Sequence, residues 1–292
     1  MPSSAPSILI VLAAALLAAA IVALAVARRG GRFRGFPGWS GFQAFFVPLL
    51  VLIARGDRRW SLTVLGLFMF VGLREYFFLA PLRPKDRWAL LFAYCSIPLV
   101  LWPELGGRTS VFLVGAPVVL FLCLPALLAV GAPLAGTFEA MGRLFTGLLA
   151  FVFCAGHLGL MATPEAQGTI ELYGLLVLVA ELPQRLAGRV RTGEGVLRAW
   201  TGIALGAAIA AWAGALAGPL AGVASRQGAT LGLVVAAGTA AGAFIAEASA
   251  QELNLGAPAA RVGRGALLDR TMPALLAAPL FFHLAFRALG RP

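Results

Sequence analysis

Charge is scarce in this chain: Asp, Glu, Lys and Arg together make up 12% of its 292 residues. A soluble globule carries about twice that share, so an ordinary water-soluble domain is excluded. Cysteine is sparse too, with three residues, Cys95, Cys123 and Cys154, all inside apolar runs and with no Cys-x-x-Cys or Cys/His cluster beside them. That pattern excludes a zinc finger or a disulfide framework and predicts packing residues. The two histidines, His157 and His283, stand far apart, with no His-Glu-x-x-His spacing. His157 is expected as a packed or hydrogen-bonded helix residue. Serine-hydrolase, P-loop and dinucleotide-binding patterns are missing as well, which removes the best-marked soluble chemistries. The net charge of +11 has no aromatic-basic recognition module to serve, so nucleic acid is not an expected partner. Arginine at membrane boundaries accounts for that charge through lipid head groups and the orientation rule.

What the chain has in abundance is apolar sequence: 60% hydrophobic residues and a mean hydropathy of +0.91. Runs of about 20 apolar residues suffice to cross a bilayer as helix, and barrel-type alternation is absent. The expected fold is therefore an all-α polytopic membrane bundle. Spans are predicted near 7–27, 42–54, 61–80, 88–102, 109–131, 141–162, 168–181, 199–223, 228–247 and 271–289, about nine or ten helices in all. The first run precedes Arg28, Arg29, Arg32 and Arg34 and follows no positive charge, which is the reverse of a cleaved signal peptide. No fixed-period repeat or linker divides the chain, so residues 1–292 form one transmembrane domain, with 1–60 its more variable part.

Alternating the loops places 28–41, 81–87, 132–140, 182–198 and 248–270 on one side, and that side holds most of the arginines. It is expected to be cytoplasmic, in a membrane of the bacterial inner type. Between its two longest late loops, residues 202–246 are rich in Gly and Ala, which predicts close helix packing.

Three constellations could carry chemistry. Glu181 stands where an apolar helix meets Arg185, Arg189 and Arg191, a set able to hold a cation and phosphates together. Spacing alone favours a plainer pairing of Glu181 with Arg185 at i+4. Arg198 and Trp200 open the next helix as ordinary boundary residues. Glu247, Glu252 and Asp269 lie beside Arg261, Arg264 and Arg270, which suits either a reaction among phosphates or a salt-bridged loop. Arg74 and Glu75 interrupt the third span, and Glu75 is expected to face the protein interior or the head-group layer.

Taken in order, these segments resemble the phosphatidate cytidylyltransferase (CDP-diacylglycerol synthase) family. Glu181 stands at that family's acidic position with Gly188-Arg189 at the matching offset, and Arg198, Trp200 and Gly202 fit its second stretch. Val262-Gly263-Arg264-Gly265-Ala266 and Asp269-Arg270 lie over its carboxy-terminal signature, and the likeness spans roughly 60–289, with motif loops 181–202 and 247–270. The sequence departs from the signature at Ala257-Pro258, where the family has Lys-Asp, and at Met272, where it has aspartate. The resemblance implies transfer of CMP from CTP to phosphatidate, giving CDP-diacylglycerol and pyrophosphate. It makes Asp269 and Glu181 the catalytic candidates, and Arg189, Arg198, Arg264 and Arg270 the phosphate binders. Glu181, Glu252 and Asp269 would hold Mg2+, with Glu247 a further candidate. CTP, phosphatidate and membrane lipid are the implied partners, and a homodimer is compatible with the pattern. Two other readings stand beside it: a family member that binds lipid or a partner without turnover, and, ranked last for want of paired halves, a small-solute transporter.

Overall fold

The computed structural model describes residues 36–130, 136–163, 167–187, 194–255 and 266–289, and among them every regular element is helical. In chain order these are α1 (Phe36–Arg55), α2 (Arg58–Leu79), α3 (Arg87–Leu105), α4 (Ala116–Val130), α5 (Thr137–Leu148), α6 (Ala155–Leu160), α7 (Gln167–Ala187), α8 (Glu194–Ala217), α9 (Ser225–Glu252) and α10 (Ala266–Ala288). A π-helical turn, Val111–Gly115, leads into α4, and another, Leu149–Cys154, joins α5 to α6 as one continuous rod. The expected span 7–27, together with Arg189 and Arg264, lies outside the described residues.

Seven described helices are long and apolar enough to cross a membrane: Arg58–Leu79, Pro84–Leu105, Val111–Ala129, Thr137–Leu160, Ala199–Ala221, Ser225–Glu252 and Leu267–Ala288. The protein is an all-α integral membrane bundle. Large apolar side chains face outward, including Trp102, Phe121, Trp212 and Leu220, as expected of a lipid-facing surface rather than a wet one. α7 is not among the seven, because it carries Glu171, Glu181 and Arg185; it packs against α1, α8, α9 and α10 with most of its length buried.

The helices run further than hydropathy alone expects. The 168–181 span extends to Ala187, 199–223 begins at Glu194, 228–247 extends to Glu252, and 271–289 begins at Ala266. Arg185, Arg198, Glu252, Asp269 and Arg270, expected in loops, therefore stand on helices. Hydropathy ends where charge begins, whereas the hydrogen-bonded ladder continues until something caps it. For α9 the stop is Asn254, in the left-handed region at φ 52, a conformation asparagine tolerates.

Small residues set the spacing of the second half. A Cβ built on Gly206 would lie 2.5 Å from the Ala180 carbonyl oxygen of α7, and one on Gly238 would lie 2.7 Å from Ala277 Cα of α10. Gly214 of α8 meets the backbone of Gly228 of α9, and Gly232 of α9 meets that of Ala210. Backbones in such contact gain dispersion energy that larger residues would block. The same contacts fix register: Gly238 against Ala277 and Gly242 against Met272 run α9 antiparallel to α10. The amino end of α10 therefore lies level with the carboxy end of α9.

Replacing Gly238 by leucine is expected to push α9 and α10 apart, at a cost of about 1–3 kcal/mol. Thermal unfolding in detergent should show a lower Tm for Gly238→Leu and little change for Leu220→Ala on the lipid face.

Candidate functional site

One end of the bundle gathers the amino halves of α1 and α10 and the carboxy ends of α2, α7 and α9. Burying charge in such a place is costly unless every charge finds a partner, so the contacts there carry information.

Glu181 is buried, and its Oε2 accepts from Trp39 Nε1 at 2.7 Å and from Gln43 Nε2 at 3.3 Å, both on α1. Trp39 and Gln43 are four residues apart and so share a face of α1. The same oxygen stands 3.6 Å from Arg185 Nη2, one turn further along α7. The i+4 pairing favoured by spacing is therefore present.

Arg185 also reaches across to α10. Its Nη1 donates to Asp269 Oδ2 at 2.9 Å and its Nη2 to the Asp269 carbonyl oxygen at 3.0 Å. That carbonyl is accessible for a reason written in the sequence. Residue 273, four positions on, is Pro273, which has no N–H to complete the helical bond. Proline thus releases an acceptor inside the first turn of α10, and the guanidinium fork takes both it and the carboxylate.

Glu75 completes the join. Its Oε1 accepts from the Leu267 N–H at 3.1 Å, satisfying one of the open donors at the amino end of α10 from a different helix. Of the two settings expected for Glu75, the protein interior or the head-group layer, this contact with another helix of the bundle fits the first. Asp269, in that first turn, is also favourably placed against the helix dipole.

Arg270, next in sequence, is half-buried beside Arg185 and Glu75. Among the described residues it enters no hydrogen bond or ion pair. Arg198 lies in the first turns of α8, and this same end of the bundle carries it, since Gly202 packs on Pro183 and Ala187 of α7. Glu247 is partly buried and accepts weakly from Gln251 Nε2 at 3.4 Å, while Glu252 is exposed at the end of α9.

The structure thus joins Glu181 to Asp269 and brings Glu75 to the same helix end. It does not add Glu247 or Glu252 to that pair: among the described residues no group of three or more His, Cys, Asp or Glu could hold a metal ion. The described arrangement does not fit Mg2+, because Arg185 occupies the place between the two carboxylates. Sequence reasoning missed Trp39 and Gln43, for which it holds no signal at a separation of some 140 residues. It paired Arg185 with Glu181 through their four-residue step but did not join it to Asp269, although the proline four residues after Asp269 pointed to a free acceptor there.

Beside this cluster an apolar groove of about 450 Å³ runs between α7 and α8, lined by Leu182, Pro183, Leu186, Thr201, Leu205 and Ile209. It opens on a helix whose outer face is lipid-exposed. His157 lies elsewhere, buried among the rings of Phe112, Phe153, Phe282 and His283, with Nδ1 2.9 Å from the Phe153 carbonyl. It is a packing residue.

Comparison with known proteins returns no matching family model, no matching curated protein and no matching solved structure.

Breaking a buried ion pair by removing one member costs about 3–5 kcal/mol, whereas replacing both by apolar groups can be neutral. A double-mutant cycle of Arg185→Leu and Asp269→Leu should give two destabilised single variants and a double variant that loses less than the sum of the two, read by thermal unfolding, with Glu181 still short of its cation.

Proposed function

We propose that the chain is a phosphatidate cytidylyltransferase-like membrane protein, its polar end facing the cytoplasm and receiving the phosphates of CTP and phosphatidate. One observation carries this reading. Glu181, Asp269 and Glu75, acidic positions scattered over the sequence, converge on one helix end, with the half-buried guanidinium of Arg270 beside them and, among the described residues, in no ion pair. A guanidinium so placed, next to a second one, suits a phosphate oxygen. The apolar groove between α7 and α8 gives an acyl chain a place at the same level.

In the reaction so proposed, a phosphate oxygen of phosphatidate attacks the α-phosphorus of CTP. The new P–O bond forms as the α–β bridging bond breaks, and pyrophosphate leaves. Arg270 pairs with phosphate oxygens and offsets the charge that builds up, with Arg198, Arg189 and Arg264 as further cations of the same segments. Asp269 and Glu181 orient Arg185 and, through it, the approach of α10 to α7.

A second reading has its own support. Arg185 already satisfies both carboxylates, which favours a protein that binds phospholipid at this end without turning it over.

Purified protein given CTP, Mg2+ and phosphatidate is expected to form CDP-diacylglycerol, with Asp269→Asn abolishing product and Arg270→Gln reducing the rate by about a hundredfold. Phosphatidate binding that Arg270→Gln weakens, without product in any variant, would establish the non-catalytic reading. Neither product nor binding would sink both.

A further inference from the structure

We infer that Arg185 is the resident cation of this acidic end, and that the Glu181–Asp269 pair takes no divalent metal while Arg185 is in place. The inference concerns occupancy of the pair and stands whether or not the chain turns over CTP.

Two carboxylates from different helices, brought to one point in a bundle, need a positive charge between them. A divalent ion is one solution, and it demands oxygen lone pairs converging on a common centre. Here one side-chain oxygen of each carboxylate already faces N–H donors. Glu181 Oε2 faces three of them: Trp39 Nε1, Gln43 Nε2 and Arg185 Nη2. Asp269 Oδ2 takes Arg185 Nη1 at 2.9 Å. A metal ion would need those oxygens turned away from their donors.

The position of Arg185 is also over-determined. Burial leaves its side chain little solvent access, and its Nη2 is tied to the Asp269 carbonyl, an acceptor that exists because Pro273 cannot donate to it. An arginine caught in passing between two acids would lack that third anchor. The guanidinium is planar, permanently charged and weakly hydrated, which suits a fixed internal cation better than lysine would. Among the described residues the charged groups facing the pair are Arg185 from α7, Arg270 from α10 and Glu75 from α2, so removing Arg185 takes away the guanidinium that bridges the two acids.

Manganese binding read by electron paramagnetic resonance, together with thermal unfolding in Mg2+ or EDTA, tests this on the full chain in detergent. Wild-type protein is expected to bind no Mn2+ at the pair and to melt alike in Mg2+ and EDTA. Arg185→Gln is expected to gain Mn2+ affinity by about tenfold or more, and Arg185→Gln/Asp269→Asn to lose that gain. Arg185→Lys, which keeps a charge in place, should bind no Mn2+. Mn2+ bound to wild type and released by Asp269→Asn overturns the inference, and this outcome is readable even if Arg185→Gln fails to fold. So does a folded Arg185→Gln protein that gains no metal. Mn2+ that survives Asp269→Asn is held elsewhere and leaves Arg185 as the cation of the pair.

Discussion

The contact on which the rest of this structure leans is the guanidinium of Arg185 between Glu181 and Asp269. α7 brings two charged residues, Glu181 and Arg185, into the interior of a bundle whose surroundings are apolar, and an unmatched charge there would cost several kcal/mol. Arg185 resolves that cost for both acids at once. Through it α7 is tied to α10, through Glu181 to α1, and Glu75 ties α2 to the same helix start. Four helices are thereby registered by one polar knot.

That knot is reachable because the backbones around it approach so closely. An arginine side chain can span two helices only if their axes are near, and the glycine contacts chain the helices together: Gly206 sets α8 on α7, Gly232 sets α9 on α8, and Gly238 and Gly242 set α10 on α9. Small residues and buried charge are thus two parts of one arrangement: the first sets the distance and register of the backbones, the second ties the helix ends to one another. The far end of the bundle uses the same logic differently. There Arg58 donates to the Glu104 and Ala162 carbonyls, closing α2 on α3 and on the end of α6 through backbone acceptors.

Much of the fold was legible beforehand. Apolar runs located the helices, and the Gly/Ala content of 202–246 announced their close packing. Their ends were not legible, because Arg185, Asp269 and Arg270 look like loop residues until caps and partners are known. Asp269 stays helical since Glu75, nearly two hundred positions earlier, satisfies a donor at the start of α10. Of the site, the Glu181–Arg185 pair could be read from a four-residue step. The Trp39 and Gln43 donors could not, since nothing local in α1 says which helix it will meet.

The amino-acid sequence by itself determined that this protein lies in a membrane as helices. Hydropathy acts through composition and length, and neither needs a partner to be known. It also determined which few charges had to be explained. Only the tertiary structure decided that Arg185, rather than further carboxylates from α9, completes the Glu181–Asp269 pair. Neutralising buried charge depends on which groups come within about 4 Å, and that distance is set by helix packing across the whole chain.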